Sequence, residues 1–115
     1  MDQQTPGWKF YEKHLQYFYD KDVVGLVAND YNEDAIVMSY DFVVKGPEAL
    51  RGLFTAYLDM IGDFTVTSTE HFRETDDAIQ LEATLQTTKA GIRKVYDVFV
   101  LKNGKISYHF TGLKD

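Results

Sequence analysis

With 115 residues, 44% of them hydrophobic and 26% charged, the chain suits one packed domain, 1–115, and is too apolar for wholesale disorder. Its 18 acidic and 12 basic side chains leave a net charge of −6, which works against nucleic-acid and anionic-membrane partners. Cysteine is absent, which excludes disulfides, thiolate nucleophiles and cysteine-bound metals. No apolar run approaches the roughly 20 residues that span a bilayer, and Met1-Asp2-Gln3-Gln4 lacks a secretory pattern, so the expectation is a soluble, cytoplasmic protein.

The predicted elements begin with helices. Thr5 can cap a helix that has Pro6 at its first position, with Trp8, Tyr11, Leu15 and Phe18 at helical spacing up to Tyr19. Asp22 caps a second helix from Val23 to Asn29, with Leu26 and Val27 inward. A strand is expected over Ala35–Tyr40. Gly46-Pro47-Glu48 opens a third helix whose stripe runs through Leu50, Leu53, Phe54, Tyr57, Leu58 and Ile61, and Gly62 ends it. Four strands follow. Phe64–Arg73 is rich in Thr, and Glu74-Thr75-Asp76-Asp77 turns into a segment where Ile79, Leu81, Ala83 and Leu85 alternate with polar residues. Ala90-Gly91 leads into Ile92–Leu101, and the hairpin Lys102-Asn103-Gly104-Lys105 returns as Ile106–Gly112. Helices ahead of consecutive hairpin strands indicate an α+β fold with a mostly antiparallel sheet.

Asp97 is the candidate that bears chemistry. It sits in Val95-Tyr96-Asp97-Val98-Phe99-Val100-Leu101, apolar on both faces, and such a strand is covered on both. Burying an unpartnered carboxylate costs several kcal/mol, so the group either pairs or stays protonated. One reading is a functional acid and the other a structural one tied to a neighbour. Aromatics make up 15% of the chain, enough for a large-residue core or for a pocket lined with Tyr and Phe. Asp20, Asp22, Asp30, Glu33 and Asp34 flank helix ends and read as caps or solvated charges, and His71, amid polar residues, reads as solvated. Glu82 is left open as a pocket group should its strand's wetter face turn inward. Three scattered histidines without ligand spacing argue against a metal.

Three stretches, Tyr31-Asn32-Glu33-Asp34-Ala35, Val44-Lys45-Gly46-Pro47-Glu48-Ala49-Leu50 and Tyr96-Asp97-Val98-Phe99-Val100-Leu101-Lys102-Asn103-Gly104-Lys105-Ile106, in this order of helices and strands, resemble the nuclear transport factor 2-like superfamily. That superfamily includes ketosteroid isomerase and the SnoaL-like polyketide cyclases, and the fold hosts many functions. The resemblance implies three N-terminal helices packed on a strongly curved, mixed and mostly antiparallel sheet, a cystatin-like cone open at one end to a compact, largely apolar ligand bearing a carbonyl or hydroxyl. It also implies a homodimer through the outer sheet face, here Tyr96, Val98, Val100, Tyr108 and Phe110, and no cofactor.

The last hairpin decides what meets Asp97. A three-residue loop pairs Leu101 with Lys105 and sets His109 opposite Asp97, whereas a two-residue loop sets Phe110 there and sends His109 outward. The resemblance favours the first. It also places Asp97 on the isomerases' oxyanion acid and His14 near their hydroxyl donor. Ser39 stands where they carry the base, and serine needs a base of its own to take a proton. Asp41 would share the face of Ser39 if the strand continued. The candidate catalytic set is therefore Asp97, His109, His14 and Asp41, with Tyr11, Phe18, Ser39, Phe54, Tyr57, Phe99 and Thr111 against the ligand. Two functions fit: a pocket protein running cofactor-free isomerisation, cyclisation or dehydration, or a non-catalytic dimeric binding module on the same fold.

Overall fold

The computed structural model describes residues 5–114; stretch 1–4, read above for a secretory pattern, lies outside them. In chain order the elements are α1 Pro6–Tyr19, α2 Val23–Asp30, β1 Tyr31–Met38, β2 Val43–Lys45, α3 Pro47–Ile61, β3 Phe64–Glu74, β4 Ala78–Thr87, β5 Ile92–Lys102 and β6 Lys105–Leu113. The strands form one sheet ordered β2-β1-β6-β5-β4-β3. Every neighbouring pair is antiparallel except β1 with β6. Three helices on this mixed sheet make an α+β fold, as the sequence led us to expect.

Local chemistry explains the helix boundaries. The Thr5 side chain accepts from the Trp8 N–H, Pro6 occupies the first helical position, and the Asp22 carboxylate accepts from the Gly25 N–H. Glu74, at the end of β3, accepts from the Gly7 N–H at 2.8 Å, so its charge lies at the positive end of α1. α3 buries Leu50, Phe54, Leu58 and Ile61 along one stripe. Opposite it, Ile79, Leu81, Ala83 and Leu85 of β4 face inward, where they meet Val95 and Phe99 of β5. The outward residue Glu82 pairs with Lys114 at 2.7 Å, which puts it on the sheet's exterior and not among pocket groups.

The structure corrects three sequence readings of the sheet. The first strand starts at Tyr31, directly on α2, and stops at Met38; Ser39 donates its N–H to the Phe42 carbonyl in a turn, and the short β2 follows. Asp41 therefore does not extend the strand beside Ser39. The last hairpin follows neither register weighed above. Asn103 and Gly104, both at positive φ, form a two-residue loop pairing Lys102 with Lys105. A bulge then inserts one residue, so that Leu101 faces Ile106 but Val100 faces Tyr108. The extra residue returns His109 to the inner face, opposite Phe99, and sets Thr111 opposite Asp97. None of the helices in the described residues is long and apolar enough to cross a membrane.

Candidate functional site

Between α1, α3 and the inner face of β4, β5 and β6 lies a cavity of about 500 Å³, lined mainly by aliphatic and aromatic side chains. That volume is in the range of small-molecule sites. Phe99 is the floor residue, 2% exposed, with the His14 and His109 rings packed on it at 5.0 and 4.6 Å between centroids. Two polar systems reach the cavity through these rings.

The first runs from Tyr31 through His109 to Asp97. The Tyr31 hydroxyl lies 2.9 Å from His109 Nδ1, and His109 Nε2 lies 2.7 Å from Asp97 Oδ1. Burial, followed by the nearby Asp97 and Asp30 charges, pushes the Tyr31 phenol well above its ordinary value, so it keeps its proton and must donate it. His109 Nδ1 is its hydrogen-bond partner. The arrangement that leaves no donor idle has Tyr31 donating to Nδ1 and His109 donating from Nε2 to Asp97. Asp97 then accepts at Oδ1. Its side chain keeps 20% of its surface exposed, and Oδ2 makes no hydrogen bond among the described residues. A proton on Asp97 Oδ1 does not fit this pattern, because it would turn the His109 ring's donor toward Tyr31 and orphan the phenol proton; Oδ2 lies outside this network.

The second system was not read from sequence. Asp30, placed above among the caps and solvated charges, is fully buried. Its Oδ2 lies 2.9 Å from His14 Nδ1 and its Oδ1 lies 3.3 Å from the Lys13 ammonium, close enough for an ion pair although too poorly aligned for a hydrogen bond. Burial lowers the His14 pKa, and the opposing pull of Asp30 only partly offsets this. His14 is thus neutral, donates from Nδ1 to Asp30, and carries the lone pair on Nε2. That is the tautomer a carboxylate sets on a general-base histidine. Nε2 has no hydrogen bond among the described residues and is not sealed, since the buried polar atoms left without one are Trp8 Nε1 and Asp30 Oδ1. The spacing did carry a signal for Asp30: it lies four residues after Leu26 and three after Val27, on their buried face.

The other expected residues divide between wall and mouth. Tyr11, Phe18, Phe54, Tyr57 and Thr111 line the cavity. The Tyr11 hydroxyl bonds Thr69 Oγ1 at 3.1 Å, and burial pushes its phenol up to about 12. Tyr57 is also raised, by burial first and then by Asp97, and its hydroxyl has no hydrogen bond among the described residues, which leaves it a donor available to the cavity. Ser39 and Asp41 lie at the mouth, where Ser39 Oγ accepts from the Asp41 N–H at 3.0 Å and Asp41 is exposed. The structure therefore brings Asp97, His109 and His14 together at the floor and leaves Asp41 apart from them at the mouth. Among the described residues no group of three or more His, Cys, Asp or Glu could hold a metal ion.

Solved structures share this architecture at low identity. A candidate SnoaL-like polyketide cyclase from Shewanella putrefaciens CN-32 superposes with a TM-score of 0.78 at 12% identity, covering 96% of this chain and 81% of the other. An NTF2-like protein from Anabaena variabilis ATCC 29413 gives 0.75 at 14% identity, covering 93% and 88%. The chain has the nuclear transport factor 2-like fold. TerC, co-crystallized with polyporic acid, is a further match, at 0.77 and 13% identity over 96% of this chain and 92% of that one. No family model matches the chain, and no curated protein matches its sequence. At these identities the NTF2-like likeness describes the fold alone.

Proposed function

We propose that this chain is a small-molecule pocket protein that binds a compact, largely apolar ligand and catalyses cofactor-free proton transfer of the isomerisation, cyclisation or dehydration kind. One observation carries the reading: Asp97 presents a carboxylate to a 500 Å³ apolar cavity, with one oxygen held by His109 and the other without a partner. Asp97 is the base, His109 and Tyr31 fix its orientation, and Tyr57 can donate to oxygen on the ligand. The low-dielectric surroundings strengthen each of these contacts. Solved neighbours on the same fold, a SnoaL-like cyclase candidate and TerC with polyporic acid, are consistent with such a cavity.

The test is base-catalysed exchange on a neutral apolar ketone. 2-Tetralone in D₂O is followed by NMR for loss of its α-protons, with acetate as the reference base. General-base help of this type accelerates proton transfer roughly 10²–10⁴-fold, and Asp97→Asn removes it. Tetralone that binds but exchanges no faster than with acetate makes the chain a binding module. That second reading is favoured by Ser39, which stands without a base of its own.

The outer sheet face supports a further part of the proposal, a homodimer. Val98 and Val100 of β5 lie beside Tyr108 and Phe110 of β6, whose rings stack at 5.9 Å, with Tyr96 continuing the face. A face this apolar is stabilised by a cover. Sedimentation of the wild type as a dimer and of Val98→Lys as a monomer is the expected result.

A further inference from the structure

The hydrogen-bond polarity of the cavity floor points to the chemistry of its ligand, an inference that rests on reading the cavity as a ligand site. Two free polar atoms at the floor are acceptors, and the Thr111 hydroxyl opposite Asp97 can act in either sense. As a carboxylate, Asp97 is one: His109 holds Oδ1 and leaves Oδ2 open to the cavity. His14 Nε2 is the other, because Asp30, paired with Lys13, takes the proton side of the ring at Nδ1. The two acceptors share one floor: the His14 and His109 rings are 6.3 Å apart and both pack on Phe99. A ligand carbonyl or ether oxygen set against either acceptor leaves two lone pairs facing each other in a desolvated site, which is unfavourable. A hydroxyl set there completes the network.

We propose that the cavity selects a ligand by hydrogen-bond donors it turns to the floor, that is, a neutral phenol or enol, over the corresponding ether. The other charged lining groups do not alter this polarity. Arg93 lies four residues before Asp97 on β5, roughly 13 Å along the strand, and Asp41 is at the mouth. Tyr57, the donor on the wall, suits a second oxygen of the same ligand.

Calorimetric titration of the wild-type protein at pH 7 with 2-naphthol, 2-methoxynaphthalene and naphthalene tests this. A hydrogen bond to a charged or buried acceptor is worth roughly ten-fold or more in affinity. 2-Naphthol is expected to bind at least ten-fold tighter than the methyl ether, and the preference is expected to shrink in Asp97→Asn or in His14→Phe. An ether that binds as tightly as the naphthol overturns the proposal, as does a preference untouched by both variants, and either leaves the pocket itself standing. Failure of all three probes to bind removes the pocket reading. The wild-type comparison needs no variant to fold.

Discussion

Replacing Asp30 by Asn keeps the side chain's volume and removes its charge. His14 Nδ1 at 2.9 Å and the Lys13 ammonium at 3.3 Å both depend on that charge. An amide has one acceptor oxygen, so one of the two contacts must face an N–H₂ group. A hydrogen bond to a buried charge contributes about 1.5–3 kcal/mol, while relief of the desolvation of Asp30 gives some of this back. The net expectation is a loss of about 1–3 kcal/mol, or a Tm lower by roughly 5–15 °C for a chain of this length. Lys13→Ala removes a partner whose side chain is 55% exposed, so it should cost no more than about 1 kcal/mol. Urea unfolding followed through Trp8, the single and buried tryptophan, measures both. Nitrogen-15 NMR of the imidazoles adds a second readout: if the amide N–H₂ turns to His14, the proton moves from Nδ1 to Nε2. An Asp30→Asn protein as stable as the wild type with an unchanged His14 tautomer refutes the orienting role given to Asp30.

Two more outcomes follow from the same structure. Because burial lowers the His14 pKa, the unfolded chain takes up a proton that the folded chain refuses as pH falls below the ordinary 6.5. Stability should therefore be fully present above that pH and decline toward acid, by at most about 1.4 kcal/mol per pH unit from this group. Imidazole signals of His14 that protonate at or above 6.5 contradict it. At Gly112, an added Cβ would lie 2.6–2.8 Å from the Tyr96 ring and hydroxyl across the β5–β6 ladder. Gly112→Ala should cost about 1 kcal/mol in denaturant unfolding, and the cost should vanish in a Tyr96→Ala background.

Much of the fold could be read from the sequence where one residue type has one physical use. Thr5-Pro6, Asp22 and Gly46-Pro47 mark helix starts because cap chemistry and a fixed φ leave few alternatives. The alternation from Ile79 to Leu85 fixes a strand with one inner face. The three residues of β2 include the exposed Val43 and carry no such pattern. The bulge before Tyr108 has no local signal in the sequence, and together with the two-residue loop it turns His109 inward. Asp97 stood out because acids are rare in so apolar a strand. Asp30 was passed over because an acid near a helix end looks solvated, although at a helix C-terminus the dipole disfavours it, which was itself a sign that something else holds it. Tyr31 sits at a helix–strand junction, where its spacing distinguishes no face.

The most direct measurement of what this cavity is for is an isotope-edited NOE spectrum of the protein with 2-naphthol. Contacts are expected from the probe to Phe99, Phe54 and Thr111, around the free oxygen of Asp97. Contacts confined to exterior residues such as Ile92 and Tyr108 would contradict it.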